Sequence, residues 1–200
     1  MNREAYDAIS ARWDDTRIRL SDGEQRLLNL LVHEMQAGAR VLDLGCGTGR
    51  PVAEFFVAQH LAVTGVDQSP RMLELARRRL PGQRWIEASL EDHVPQPGYA
   101  AAVAWDSLFH VPRHHHASIF GRVRAALREG GRFALTVGGS AHPAFFDTMF
   151  GQTFYYDSHA PDETQALLRG AGFSIDHAEF LNLPTSGRDK GRFAIVAHAG

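Results

Sequence analysis

The stretch Val41-Leu42-Asp43-Leu44-Gly45-Cys46-Gly47-Thr48-Gly49 joins a short apolar run to a cluster of glycines, and a segment opening on Arg50 and Pro51 follows it. Glycines let the backbone turn tightly and let a ligand come close to the peptide groups. A helix beginning near Arg50 presents unpaired N–H groups at its positive end. Pro51 in its first turn gives up only a donor that has no partner there anyway. Leu61 to Val66 reads as a second strand, and Asp67 stands at its tip, 22 residues after Gly45. A carboxylate at that place accepts two hydrogen bonds from a ribose diol. Glycines alone are a weak signal; with a strand before them, a helix after them and an acid on the next strand, they predict the nucleoside-binding edge of an α/β sheet. The spacing is Gly-x-Gly-x-Gly, not the Gly-x-Gly-x-x-Gly whose glycines serve a pyrophosphate, and a Gly-Lys-Ser/Thr ending is missing. Cys46 reads as a small packed residue, because the sequence places no base beside it.

Working outward, strand and helix patterns alternate. Asn2 to Trp13 reads as a helix with Tyr6, Ile9 and Trp13 on one face. Ser21 and Glu24 form a capping box for a second helix, which carries Leu27, Leu28, Leu31 and Met35 inward and is expected to run to Gly38. Pro51 to His60 and Ser69 to Leu80 are helices, with Gln83 to Ala88 as a third strand. Tyr99 to Trp105 is nearly continuously apolar, as a strand covered on both faces should be. Arg113 to Arg128 is a helix, and Glu129-Gly130-Gly131 turns the chain into a fifth strand from Arg132 to Val137. Pro161 to Arg169 is a last helix; Phe173 to Leu181 and Gly191 to His198 are two last strands, a hairpin across Pro184 to Asp189. Short connections and strict alternation argue a doubly wound, Rossmann-like sheet. One region breaks the rhythm. Residues 138–160 hold Phe145, Phe146, Phe150, Phe154, Tyr155 and Tyr156, and read as a long ordered loop of functional interest. Its residues Phe145, Phe146 and Phe150 are expected to form a satellite core.

Composition narrows the class. A hydrophobic fraction of 44% and a charged fraction of 22% are ordinary for one folded domain spanning residues 1–200. A net charge of -2 gives no argument for a polyanionic partner. Lys190 is the only lysine, so the arginines look like compositional bias; Arg77, Arg78 and Arg79 are expected to face water at a helix end. Cys46 is the only cysteine, which excludes an intrachain disulfide and a multi-cysteine metal site. Met1 to Asp15 lacks the apolar core of a signal peptide, and no stretch approaches the roughly 18 apolar residues of a membrane span. A soluble, cytoplasmic protein is expected.

Val41 to Gly49 resembles the first motif of the class I S-adenosylmethionine-dependent methyltransferases, and the resemblance extends over nearly the whole chain. Asp67 matches that family's ribose-binding acid, and Trp105-Asp106-Ser107-Leu108-Phe109-His110 matches the segment after the fourth strand that lines the cofactor and opens toward the acceptor. Leu127-Arg128-Glu129-Gly130-Gly131 is similar to the family's Leu-x-Pro-Gly-Gly turn with Glu129 in the proline's place, and Leu168 to Phe173 resembles its late Ala-Gly-Phe turn. The resemblance implies a sheet of order 3-2-1-4-5-7-6 with strand 7 antiparallel. It implies S-adenosylmethionine as cofactor, held by Asp43, Gly45, Cys46, Gly47, Gly49, Asp67, Gln68, Trp105 and Asp106. The family's adenine-binding aspartate is missing after the third strand; Ser89 and the N–H of Leu90 stand in that place, with Glu87 or Glu91 as substitutes. N-terminal helices within residues 1–37 cover the cofactor in many members, which gives Tyr6 and Trp13 a place over the site.

The implied activity is methyl transfer to oxygen or nitrogen of a small-molecule acceptor. His110 is the candidate base, since imidazole can take a proton near neutral pH; the rival reading is that it orients the loop. Acceptor contacts are expected from Tyr6, Trp13, His110, His142, Tyr155, Tyr156 and His159. His114, His115 and His116 look like a metal tract, but consecutive helical residues diverge by about 100°, so an exposed first turn is expected and no metal. No basic-aromatic motif or base-modifying signature reads nucleic acid. Two other classes stay open: a cofactor-binding protein without turnover, and an NAD-dependent oxidoreductase, which the glycine spacing disfavours. Oligomeric state is open.

Overall fold

A computed structural model describes residues 2–186 and 189–200. In chain order the elements are α1 (Arg3–Thr16), α2 (Asp22–Val32), β1 (Arg40–Leu44), α3 (Val52–Ala58), β2 (Ala62–Asp67), α4 (Pro70–Arg79) and β3 (Arg84–Glu87). There follow β4 (Tyr99–Ala104), α5 (His116–Ala126), β5 (Leu127–Gly138), β6 (Phe145–Met149), β7 (Gln152–Tyr156), α6 (Pro161–Gly170), β8 (Phe173–Asn182) and β9 (Arg192–Ala199). Seven strands form one sheet of order β3-β2-β1-β4-β5-β9-β8, in which β9 runs antiparallel to both neighbours. Counting β8 and β9 as sixth and seventh, this is the expected order. Residues 187 and 188 of the expected Pro184 to Asp189 turn lie outside the described residues.

The alternation of β1 builds the two layers. Val41 packs with Leu27, Leu28 and Leu31 of α2 and Phe56 of α3; Leu42 and Leu44 pack on the other face with Phe120 and Val123 of α5. Because both faces are covered, β4 is buried at every position. The Ser21–Glu24 capping box starts α2 as expected. From β1 the chain turns to β2 on one side, and from β4 it turns to β5 on the other. A crevice therefore opens at the C-terminal ends of β1 and β4, where open α/β sheets bind ligands. No helix among the described residues is long and apolar enough to cross a membrane.

Five expectations need correction. First, α2 stops at Val32, well short of Gly38, because Glu34 takes a left-handed backbone (φ 64°) that ends the helix. Second, Glu129-Gly130-Gly131 belongs to an irregular start of β5: Tyr99 pairs with Leu127 and Ala101 with Arg132, so the register shifts across them. Third, residues 138–160 are not a loop throughout but carry the β6–β7 hairpin, turned by Phe150 (φ 52°) and Gly151 (φ 81°). Phe145 stacks on Tyr156 across it at 5.2 Å, while Phe146 is 67% exposed and so is no part of a satellite core; Phe154 is the buried ring. Fourth, His116 is buried and turned inward, its Nε2 bonding the carbonyls of Leu108 and Val111, because a 3-10 turn over Arg113–His115 resets the helix phase. Fifth, Arg79 does not face water. It donates to Asp14 and to the Thr48 carbonyl, both at 2.6 Å, and pairs with Glu54 at 3.1 Å.

Gly45 shows why the motif is glycine-rich. Its φ is +78°, and an added Cβ would lie 2.3 Å from the Cβ of Ser107 at the end of β4. Gly45→Ala combines left-handed strain with a backbone-level clash, so urea unfolding should show a loss of about 2 kcal/mol or more. Gly121→Ala, in a helix with open space at the Cβ, should be neutral or stabilising. Equal effects of the two would refute the crowding.

Candidate functional site

The glycine loop is built from backbone bonds. The N–H groups of Gly45 and Cys46 donate to the Val66 carbonyl at 2.8 and 3.1 Å, tying the end of β1 to β2. Asp67, at the end of β2, accepts from Gly47 N–H and from Ser69 N–H, both at 2.9 Å. Each of its oxygens keeps a lone pair for a further donor. Burial raises its pKa, and those two backbone bonds counter the rise. A Cβ at Gly47 would meet only Trp13 Nε1 at 3.9 Å, so this peptide faces open space.

That space is a cleft of about 870 Å³, counting its solvent-open mouth. Asp43 lies on its floor, 1% exposed, with Oδ2 lacking any hydrogen-bond partner among the described residues. Burial first, then the charge of Asp67, pushes its pKa up to about 7. An unsatisfied buried carboxyl next to a peptide cradle fits a cationic or ammonium-bearing ligand. Cys46 also lines the cleft, but burial and the nearby Asp67 and Asp43 hold its thiol well above its ordinary pKa, so it is a packed, protonated residue.

Helix α1 crosses the cleft, and its Tyr6 and Trp13 line it. Polar contacts hold the helix there. Asp7 accepts from Ser69 Oγ at 2.6 Å, Asp14 pairs with Arg79, and Arg3 pairs with Glu87 at 2.9 Å. At one end Asn2 acts like a short strand: its Oδ1 accepts from Tyr155 N–H and its Nδ2 donates to the Tyr155 carbonyl, both at 2.9 Å.

His110 stands at the far end of the cleft, 8% exposed. Its Nδ1 faces Asn2 Nδ2 at 2.8 Å and the Tyr155 carbonyl at 3.0 Å; its Nε2 hydrogen-bonds Tyr6 Oη at 2.7 Å. Both ring nitrogens are thus engaged, and burial lowers the pKa to about 4. Burial also raises the Tyr6 phenol well above its usual range. The pair is neutral near pH 7, and Tyr6 is the member of it on the underside of α1.

Beside them lies an ion cluster. Arg192 donates to Asp106 through Nε (2.9 Å) and Nη2 (2.7 Å), and to Glu24 at 2.8 Å; Arg17 reaches Glu24 at 2.6 Å and Asp106 at 3.3 Å. Burial alone would raise Glu24; bonds from Arg192, Ser21 and Trp105 and the charge of Arg17 bring it down to about 2. Asp106 also accepts from Thr136 Oγ1, so each of its oxygens has two donors.

Of the expected cofactor contacts, the structure brings Asp43, Gly45, Cys46, Gly47, Asp67, Gln68, Leu90, Trp105 and Asp106 to one cleft. Gly49 instead backs onto Trp85, and Ser89 is spent on Asp92 in a local turn; Glu91 lines the cleft in its place. Of the expected acceptor contacts, Tyr6, Trp13 and His110 line it. His142 and Tyr156 line a second cavity, about 610 Å³, shared with Phe109 and Arg192. Tyr156 nevertheless lies 4.7 Å ring to ring from His110, so the two spaces share a wall. Tyr155 turns to Asp157, and His159 bonds Glu163 and the Arg113 carbonyl; neither lines either cavity. Sequence reading missed Arg17, Asn2 and Ser107. Arg17 follows the cleft-facing helix directly, which was the available signal; Asn2 gave none beyond a helix cap.

Comparison with known proteins agrees with this geometry. A family described as "Methyltransferase domain" matches residues 41–131. The chain is 38% identical over 130 residues to a trans-aconitate 2-methyltransferase of Methylobacterium nodulans, covering 62% of this chain and 49% of that one. It is 32% identical over 137 residues to the 27-O-demethylrifamycin SV methyltransferase of Amycolatopsis mediterranei, covering 62% and 48%. It therefore spans about half the length of the curated relatives it matches. Among solved structures, an S-adenosylmethionine-dependent methyltransferase of Clostridium acetobutylicum superposes with a TM-score of 0.75 at 14% identity, over 98% of this chain and 99% of that one, which speaks for the fold.

The site generates a stability prediction. The folded-state pKa of His110 lies below the 6.5 of the free side chain, so its neutral form is favoured by folding. That contribution is whole above pH 6.5 and is lost as pH falls toward 4. Replacing His110 by Gln should flatten the fall in unfolding free energy over this interval, measured by urea titrations at several pH values. An unchanged slope would show that His110 is solvated in the fold.

Proposed function

We propose that this chain is a class I S-adenosylmethionine-dependent methyltransferase, which binds S-adenosylmethionine in the α1-covered cleft and passes its methyl group to an oxygen or nitrogen of a small-molecule acceptor. The observation that carries this reading is the triad of Gly47 peptide, Asp67 carboxylate and unpartnered Asp43 carboxyl around one cleft. Bound there, the cofactor supplies an electrophilic methyl on a sulfonium, and the residues supply orientation and exclusion of water. Asp67 takes the ribose diol. Asp43 offers a buried negative charge to the cationic end of the ligand. Gln68, Leu90 and Glu91 border the adenine side.

Tyr6 and His110 mark the acceptor end. His110 is neutral with both nitrogens engaged, so it orients Tyr6 and does not itself take a proton from an acceptor. Tyr6 is too weak an acid to serve as a phenolate base. The chain's part is therefore alignment, and the acceptor that suits it arrives already nucleophilic, as a carboxylate or a neutral amine. The matched relatives named for trans-aconitate and a rifamycin support a small-molecule acceptor. His142 and Tyr156, across the shared wall, border the space such an acceptor enters.

Calorimetry with S-adenosylmethionine and S-adenosylhomocysteine tests the reading. Both should bind, and Asp67→Ala should weaken both by about 1–3 kcal/mol, the scale of lost buried hydrogen bonds. No heat from either at high micromolar concentration would end it. Binding without release of S-adenosylhomocysteine across a panel of carboxylate, amine and hydroxyl acceptors would favour a binding protein over an enzyme.

A further inference from the structure

We propose that Asn2 is a positioning residue: it sets which nitrogen of His110 carries the ring hydrogen, so that Tyr6 keeps its own hydroxyl hydrogen for the cleft, and the site prefers a carboxylate acceptor to an amine. The proposal rests on the methyltransferase reading and narrows its acceptor.

Asn2 is 4% exposed, and its neighbours fix the orientation of its amide. Oδ1 accepts from the Tyr155 N–H at 2.9 Å, so the other arm is the NH2 group. That group lies 2.9 Å from the Tyr155 carbonyl and 2.8 Å from His110 Nδ1, one neighbour for each of its hydrogens. Nδ1 therefore stands between a donor, Asn2 Nδ2, and an acceptor, the Tyr155 carbonyl at 3.0 Å. The two tautomers of a neutral imidazole fit this place unequally. A hydrogen on Nδ1 would confront the Asn2 hydrogen across 2.8 Å and leave a buried donor without a partner. A bare Nδ1 accepts from Asn2, and the Tyr155 carbonyl loses nothing, because Asn2 already donates to it. The ring hydrogen thus belongs on Nε2.

Tyr6 Oη, 2.7 Å from Nε2, then accepts that hydrogen. Oη has no other hydrogen-bond partner among the described residues, and Tyr6 lines the cleft. Its O–H is left for the occupant of the cleft. A carboxylate answers it with one oxygen and keeps a lone pair on the other for the methyl. The new O–C bond forms from that pair, the sulfonium recovers the S–C pair, and no proton has to leave. A neutral amine has a single lone pair, and a hydrogen bond from Tyr6 would occupy the pair that must attack.

The experiment is nitrogen NMR of the full chain, isotope-labelled in its histidine rings and saturated with S-adenosylhomocysteine near pH 7. His110→Gln identifies the His110 signals by their loss. The native ring should show a bare Nδ1 and a hydrogen on Nε2. Asn2→Ala leaves the Tyr155 carbonyl as the hydrogen-bonding neighbour of Nδ1, and should put the hydrogen on Nδ1. Asn2→Asp keeps an acceptor for the Tyr155 N–H but offers Nδ1 no donor, and should do the same; loss of a merely structural tie would leave the tautomer as it was. Benzoate and aniline, a carboxylate and a neutral amine on one ring, are the acceptor probes, titrated by calorimetry. The native chain should bind benzoate about tenfold tighter than aniline or better. Tyr6→Phe and Asn2→Ala should each weaken benzoate by about tenfold and leave aniline within about twofold. The native tautomer and Tyr6→Phe carry the test if neither Asn2 variant folds. The proposal is overturned by a hydrogen on Nδ1 of the native ring, or by a tautomer that both Asn2 variants leave unchanged. It is also overturned if the native chain binds benzoate no better than aniline, or if Tyr6→Phe binds benzoate as the native chain does. A native chain that does not take up S-adenosylhomocysteine would overturn the methyltransferase reading itself.

Discussion

The closeness of two chain ends governs this molecule. β1 and β4 are neighbours in the sheet, and their C-terminal ends come together so tightly that Gly45 has no room for a side chain beside Ser107. Ser107 Oγ donates to the Leu44 carbonyl at 2.8 Å and seals the contact. Beyond that point the two paths diverge, one toward β2 and one toward β5, and the divergence leaves the cleft. Gly45 needs a left-handed backbone to leave β1, and that turn brings the next peptides round to Asp67. The position of the acid on the second strand, the exposure of the Gly47 peptide and the depth of Asp43 all follow from a single crowded crossing.

Covering the crossing poses a different problem. Only Ile9 of α1 is buried, so this helix contributes little apolar area to the core. Its attachments are side-chain hydrogen bonds and ion pairs, several of them partly exposed, and water can replace such contacts at small net cost. The sheet beneath is closed by two apolar layers and cannot open without unfolding. A cover held by polar contacts over a floor held by apolar ones is a division of labour suited to a ligand that must enter and leave. Asn2 and Arg17 sit at the two ends of that cover, one latched to β7 and one to the ion cluster, so the helix is tied at both ends.

What the sequence disclosed follows the same division. The glycine loop was legible because it depends on local pattern, an apolar strand, glycines at positions of positive φ and an acid at a fixed distance, whereas the sheet order came from the family which that pattern resembles. The hairpin was not, because its turn uses Phe150 in a left-handed conformation, a residue that ordinarily argues against a tight turn. His116 was misread because a 3-10 turn shifted the helix phase by which its exposure was judged. Arg79 looked like a helix-end charge, yet the partners that bury it come from α1, α3 and the glycine loop. His110 was visible as a candidate, but its saturation by Asn2, Tyr6 and the Tyr155 carbonyl joins segments more than a hundred residues apart, which no periodicity reports.

That saturation bears on the chemistry more than the presence of a histidine does. A base must have a lone pair facing the proton it removes, and a pKa near the working pH. His110 meets neither condition: its nitrogens are spoken for, and burial holds its pKa near 4. What it can do is fix the Tyr6 hydroxyl, and through Asn2 bind that hydroxyl's position to the β7 backbone. On the proposed reading the acceptor end is thus a rigid polar wall, neutral and already hydrogen-bonded, facing the cleft. Such a wall stabilises no developing proton. It favours an acceptor whose lone pair is free before it arrives and whose orientation the wall fixes, and it leaves the electrostatic work to the Asp43 side of the cleft, where a carboxyl oxygen is buried without a partner.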